Sequence, residues 1–184
     1  MTYLEHSDDL LILVDGEDNA VGEMSKAECH LGNGTLHRAF SVFLFNENGD
    51  LLLQQRSKNK PLWPLIWANS CCSHPRAGEA TLSAAHRRVN EELGIKTNLE
   101  YLFKFEYQAQ YNEQGAEHEL CWVFVGHFTG DPKVDPSEIS DWRFIKPEDL
   151  AASIEANPDE YSPWLKLEWA RISHDFLGKI RKQS

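Results

Sequence analysis

The order of strand-like and helix-like stretches predicts an α/β (α+β) protein: a mixed β-sheet with helices packed on it, in a single domain covering residues 1–184. Three observations carry this. Short apolar runs bounded by turn formers recur at 10–14, 39–45, 51–56, 99–109, 117–128 and 139–145. The period then changes to a helical one at 79–93 and again after residue 162. No repeat, low-complexity tract or linker interrupts the 184 residues, enough chain to bury a core without disulfide or metal staples.

Each element has its local reason. Residues 10–14 form a first strand, and 16–19 are turn formers. The segment 26–35, with His30 and the breaker Gly32-Asn33-Gly34, reads as a loop. His37 leads into 39–45, apolar enough to be covered on both faces. Asn46 to Gly49 is a turn and 51–56 the returning strand, so 39–56 is expected to be a hairpin. Residues 67–72 are extended and enter a loop at His74-Pro75. Leu82, Ala85, Val89 and Leu93 share one helical stripe, and Gly94 stands where a helix stops. Strands 99–109 and 117–128 pair across the polar segment 110–116. After the strand at 139–145, Pro147 opens a helix reaching Ala156. Ser162-Pro163-Trp164 starts a last helix with Leu165, Trp169, Ile172, Phe176 and Ile180 on its apolar side.

The formal net charge of -11 argues against non-specific nucleic-acid binding, although a local basic patch could still hold a small anion. Cysteines 29, 71, 72 and 121 show no C-x-x-C spacing. The N-terminal MTYLEHSDDL has no basic region followed by a long apolar run, so no signal peptide is expected. No apolar run approaches the roughly 20 residues of a spanning helix. Free thiols in a cytoplasmic protein, with no membrane partner, are the expectation.

The stretch 67–95 concentrates chemistry: paired cysteines, His74, a Pro/Gly loop and a helix ending in Glu91 and Glu92. Acids at a helix C-terminus oppose its dipole by a few tenths to about 1 kcal/mol, which suggests that a cation holds them. On a strand, Glu117, Glu119 and Cys121 share a face. Two such carboxylates either belong to a solvated edge or share a cation or proton. His30, His37 and His74 each adjoin a strand end; alone each reads as a surface residue, together with the two glutamates they form a donor set for a divalent metal. Cys72 is either an inert small hydrophobe or a reactive thiol, as nucleophile or proton donor. Lys26, Arg56, Lys58, Lys60, Arg87 and Arg88 read as a solvated surface or as a grip for a metal-bridged diphosphate.

The run Arg87-Arg88-Val89-x-Glu91-Glu92-Leu93-Gly94-Ile95, with Glu79 upstream, resembles the Nudix box. Ser73 stands where its first glycine belongs, and Arg88 where a metal-binding glutamate belongs, which counts against pyrophosphate hydrolysis. With Asn69-Ser-x-Cys72-x-His74-Pro75, Trp63-Pro64, Glu117-x-Glu119-x-Cys121 and Ser162-Pro163-Trp164, the chain resembles the type I isopentenyl-diphosphate isomerases across about residues 26–164.

That resemblance implies a Nudix-like mixed sheet sandwiched by helices. It also implies a metal-dependent isomerase of isoprenoid diphosphates, most simply a monomer. His30, His37, His74, Glu117 and Glu119 would bind manganese, magnesium or zinc, and Glu92 would help a second magnesium meet the substrate diphosphate. Lys26, Arg56, Lys60 and Arg88 would contact that diphosphate, with Ser73 adding a loop contact. Cys72 would be one acid/base and Glu119 with Tyr107 the other, while Trp164 would face a developing carbocation. A Nudix hydrolase of a nucleoside diphosphate derivative and a non-catalytic metal-bound module are the rival readings.

Overall fold

The computed structural model of the chain describes residues 9–180, so the expectation for the extreme N-terminus falls largely on residues outside those described. Strand β1 (Leu10–Val14) is followed by an antiparallel return strand, β2 (Ala20–Ser25). In the turn between them the Asp15 carboxylate accepts from the N–H groups of Glu17 and Asn19. Strand β2 is largely exposed and lacks apolar alternation, so nothing in its pattern marks it as a strand. The segment read as a loop begins with a short helix, α1 (Lys26–Cys29), whose N-cap Ser25 accepts from Glu28 N–H.

Strand β3 (His37–Phe45) organises the sheet and is buried almost throughout. It runs parallel to β8 (Gly115–His127) and antiparallel to β6 (Cys71–Ser73) and β1. The expected hairpin 39–56 is not a continuous ladder. Strand β4 (Leu51–Arg56) meets β3 only at Phe45–Leu51, then splays away to pair with β5 (Trp67–Ala68) and β9 (Ile139–Ile145). Side chains fill the opened gap. Ser70 Oγ accepts from Leu44 N–H at 2.8 Å and donates to Leu52 O at 2.7 Å, joining the two diverging strands. Asn69 Nδ2 donates to Val42 O, and Gln54 Nε2 to Ser70 O. These buried polar groups replace the ladder bonds that the splayed backbone cannot make.

Strand β7 (Leu99–Asn112) pairs with β8 well beyond the expected ends, leaving only residues 113–114 as the turn. On one face of the sheet, Phe40, Val42 and Leu44 pack against Ala85, Val89 and Leu93 of α2 (Thr81–Leu93). Leu82, placed on that stripe by periodicity, points outward and is 44% exposed. The other face sets Phe43, Phe45, Val123 and Val125 against Leu165, Trp169 and Ile172 of α4 (Pro163–Asp175). Leu150 of α3 (Pro147–Ala156) and Ile180 of α5 (Leu177–Ile180) join this second cluster. The final helix expected as one piece is thus divided at Phe176. Each fully buried side chain of this size contributes about 1.5–3 kcal/mol. The two clusters fix both helices against β3, and the site lies at the end of that strand where His37 begins it.

Candidate active site

One face of β8 changes chemistry along its length. Val123 and Val125 belong to the core, Cys121 is buried next along the strand, and Glu119 and Glu117 carry carboxylates into a cavity of about 370 Å³. Glu119 Oε1 lies 2.8 Å from His74 Nε2 and 3.8 Å from His37 Nε2. Its Oε2 accepts from the hydroxyl of Tyr107, its cross-strand neighbour on β7, at 2.6 Å. Burial drives Glu119 well above the usual carboxylate range, and the negative charge of Glu117 adds to this. Burial acts in the same direction on Glu117, but the charge and hydrogen bond of His30 outweigh it and hold that group at about 2.

His30 follows α1, His37 begins β3 and His74 follows β6. Together with Glu117 and Glu119 they bring five ligand atoms within 4.8 Å of one another. Gly115 permits this assembly, because a Cβ there would come within 2.5 Å of the His30 carbonyl. His30 Nδ1 lies 2.6 Å from Lys26 O and His37 Nδ1 2.7 Å from Thr35 O. A carbonyl only accepts, so both Nδ1 atoms carry a proton and both Nε2 atoms face the cluster. Burial works against protonation of His30, but the charge and hydrogen bond of Glu117, 2.8 Å from its Nε2, raise it. His37 Nε2 is buried with no hydrogen-bond partner among the described residues. Burial, with His30 next to it, depresses His37 to about 4; burial and His37 depress His74 as well. Rings at His37 and His74 that resist protonation, an orphaned Nε2 and two carboxylates fit a divalent cation.

Beside this cluster lies a network of cations. Arg88, 6% exposed on α2, donates from one nitrogen, Nη2, to Glu92 Oε1 at 2.7 Å and to Glu138 Oε1 at 2.8 Å. Lys60 pairs with the other Glu138 oxygen. Desolvation and the charge of Lys60 lower Lys26, on α1, to about 8. Arg56 donates to the carbonyls of Leu62 and Trp63, tying down a loop in which Trp63 and Leu65 have φ of 47° and 59°. Its guanidinium also lies 5.3 Å from the ring centre of Trp164. The other two candidate cations lie elsewhere: Arg87 is bound to Glu79, and Lys58 is exposed and does not line the cavity.

Cys72 stands on the third wall. Its thiol donates to Asn69 Oδ1 at 2.7 Å and accepts from Trp164 Nε1–H at 3.2 Å and Ser41 Oγ–H at 3.7 Å. Asn69 cannot turn its amide round, because its Nδ2 is committed to Val42 O and Cys71 O. Loss of solvent raises Cys72 well above an ordinary thiol, and nearby Glu168 adds to the shift. Trp164 is set by the start of α4, where Ser162 caps Leu165 N–H and Pro163 occupies the first turn.

Of the residues singled out in the sequence, Lys26, His30, Arg56, Lys60, Cys72, Ser73, His74, Arg88, Tyr107, Glu117, Glu119 and Trp164 all line this cavity. His37 lies beneath it, fully buried. Glu92 stands apart: it is 2% exposed, paired to Arg88 and 3.5 Å from Gln54 Nε2, and does not line the cavity. Sequence reading missed Glu138, Asn69 as a support for Cys72, and Glu168. Glu138 owes its place to segment 133–138, which docks on the end of α2 through Lys133 N–H to Leu93 O and Asp135 N–H to Glu92 O. No local pattern in the sequence announces that docking.

A sequence model of the NUDIX domain matches residues 35–165. A solved structure from Deinococcus radiodurans superposes with a TM-score of 0.68 at 22% identity, covering 95% of this chain and 98% of that one, which supports the same fold. Curated relatives narrow the class. An isopentenyl-diphosphate Delta-isomerase 1 of Photorhabdus laumondii is 44% identical over 172 residues, 92% of this chain and 98% of its own length. An isopentenyl-diphosphate Delta-isomerase of Serratia proteamaculans is 44% identical over 157 residues, covering 85% and 87%. The chain belongs to the NUDIX superfamily and, within it, to the isopentenyl-diphosphate Delta-isomerases.

Proposed function

We propose that this chain interconverts isopentenyl diphosphate and dimethylallyl diphosphate, a step of isoprenoid biosynthesis. One observation carries the reading: a thiol, a carboxylate–phenol pair and an indole line one cavity whose other wall is cationic. At about 370 Å³ the cavity suits a small ligand. Lys26, Arg56, Lys60 and Arg88 supply charge for a diphosphate, and Ser73 lies in the same wall. The substrate's magnesium would arrive with it. Leu31, Pro61, Leu62 and Trp164 provide apolar surface for the five-carbon chain.

The reaction adds a proton to carbon 4 and removes one from carbon 2. An alkene is a weak base, so the intermediate resembles a tertiary carbocation that must be kept from water. Trp164 offers a π-face without a nucleophilic lone pair, worth about 2 kcal/mol or more to a desolvated cation. Glu119, whose carboxyl burial shifts toward the protonated form and whose Oε2 is bonded to Tyr107, is the donor in the forward direction. Cys72 is the base in its thiolate form, once the thiol proton bonded to Asn69 Oδ1 has left to water: Trp164 Nε1–H and Ser41 Oγ–H support that thiolate, and its raised pKa makes it a strong acceptor. The roles reverse in the return direction. His30, His37, His74, Glu117 and Glu119 would hold a divalent metal such as manganese, magnesium or zinc, which when bound supplies positive charge that orients Glu119 and tunes its acidity.

The hydrolase alternative is not favoured. Arg88 replaces a glutamate of the Nudix box and engages Glu92 and Glu138, so the helix offers no additional carboxylate there. Purified protein given isopentenyl diphosphate and a divalent metal should yield dimethylallyl diphosphate without releasing phosphate. Phosphate release from nucleoside diphosphate derivatives, with no isomerisation, would refute the reading.

A further inference from the structure

Behind Cys72 lies a carboxyl group that this chemistry does not use. Glu168 sits one turn after Trp164 on α4 and is fully buried. Its Oε1 accepts from the Cys121 thiol at 3.5 Å, and its Oε2 has no hydrogen-bond partner among the described residues. Cys121 Sγ also lies 3.5 Å from Ser41 Oγ, and that hydroxyl is 3.7 Å from Cys72 Sγ. Register explains the convergence: on β3, Ser41 stands opposite Cys72 of β6, and Cys121 of β8 is the partner of Ala39 two residues before it. A carboxylate sealed in this pocket would have only a hydroxyl and a thiol for support and no ion pair among the described residues, so the neutral acid is the form that fits.

We propose that Glu168 is a positioning residue for Cys72: as a neutral carboxylic acid it holds Cys121 and Ser41 in place, and Ser41 in turn aims the Cys72 sulfur into the cavity. Glu168 thus supports the reactive thiol from behind while Trp164, on the same face of the same helix, supports it from the side. The direction of its ionisation agrees, since burial raises Glu168 to about 8, with Ser41 and Cys121 opposing only in part. A neutral acid here also avoids setting a second negative charge near a forming thiolate, and Glu168 is among the groups that raise Cys72.

This inference rests on Cys72 being the reactive thiol, and steady-state kinetics of isomerisation separate the two claims. Glu168→Leu should lower kcat by about 10- to 100-fold with KM changed less than about twofold, since a misaimed group loses turnover rather than binding. Glu168→Gln, which keeps the shape and neutrality of the acid, should recover kcat to within about threefold of wild type. Ser41→Ala should lower kcat in the same direction, and it serves if Glu168→Leu does not fold. Wild-type kcat in Glu168→Leu or Ser41→Ala, or a loss in Glu168→Gln equal to that in Glu168→Leu, overturns the role of Glu168. Full activity in Cys72→Ala would instead overturn the assignment of the thiol on which it rests.

Discussion

Arg88 offers the sharpest structural prediction, because one side chain neutralises two buried carboxylates. Replacing it with methionine keeps much of its volume and removes the guanidinium. Glu138 would still have Lys60, whereas Glu92 would keep, among the described residues, Gln54 Nε2 at 3.5 Å as its side-chain partner. One stranded buried charge therefore dominates. Breaking a buried pair from one side costs about 3–5 kcal/mol, and the surviving Lys60–Glu138 contact argues for the lower end, about 3 kcal/mol. At this chain length each kcal/mol moves the melting temperature by about 2–4 °C, so Arg88→Met should melt about 6–12 °C lower. Adding Glu92→Gln should restore more than half of the loss, because the stranded charge becomes a neutral amide of the same shape. Urea and thermal unfolding, followed by the fluorescence of the six tryptophans, measure both variants. A loss below about 1 kcal/mol for Arg88→Met, or a further loss on adding Glu92→Gln, would show that this network does not hold the end of α2.

Other outcomes follow from the same geometry. Cys72→Ala should abolish isomerisation with metal content unchanged; near-wild-type turnover contradicts its role. Chelation should remove activity until a divalent metal is restored, and His37→Ala should weaken manganese binding, measured calorimetrically, by more than the roughly 10- to 100-fold typical of losing a supporting contact. Full activity in rigorously metal-free protein would rule out the five-ligand site. Glu168→Gln should change the pH dependence of stability. Below about pH 4.5 wild type has Glu168 protonated both folded and unfolded; from there to about 8 only the unfolded chain releases the proton. Wild type therefore loses stability relative to Glu168→Gln as pH rises, by at most about 1.4 kcal/mol per unit, and the gap levels off above about 8. Groups near this carboxyl include Cys121, Ser41, Cys72 and Glu119. Parallel curves for the two proteins would mean that Glu168 is not held neutral.

Much of this was legible in the sequence because periodicity and short-range chemistry carried it. The β8 alternation placed Glu117 and Glu119 on one face, and the helical stripe at Val89 and Leu93 identified the side of α2 that packs on the sheet. Failures came where partners were distant in sequence. Strand β2 has no buried face to pattern it, and β4 leaves β3 because β9, more than 80 residues away, pairs with it instead. The docking of segment 133–138 brings Glu138 to Arg88, and the turn of α4 brings Glu168 behind Cys72. Each is a lone glutamate without a local motif. Leu82 failed for another reason: α2 turns its flank with Arg88 and Glu92 inward, which rotates Leu82 into solvent.

Turnover of isopentenyl diphosphate with a divalent metal in heavy water tests the central claim most directly. The account predicts dimethylallyl diphosphate with deuterium incorporated at the methyl group derived from carbon 4, no phosphate released, and neither product nor label with Cys72→Ala. Product formed without solvent deuterium would require an internal hydrogen shift that never exchanges with the acid and base assigned here; hydrolysis of the diphosphate in place of isomerisation would contradict the account outright.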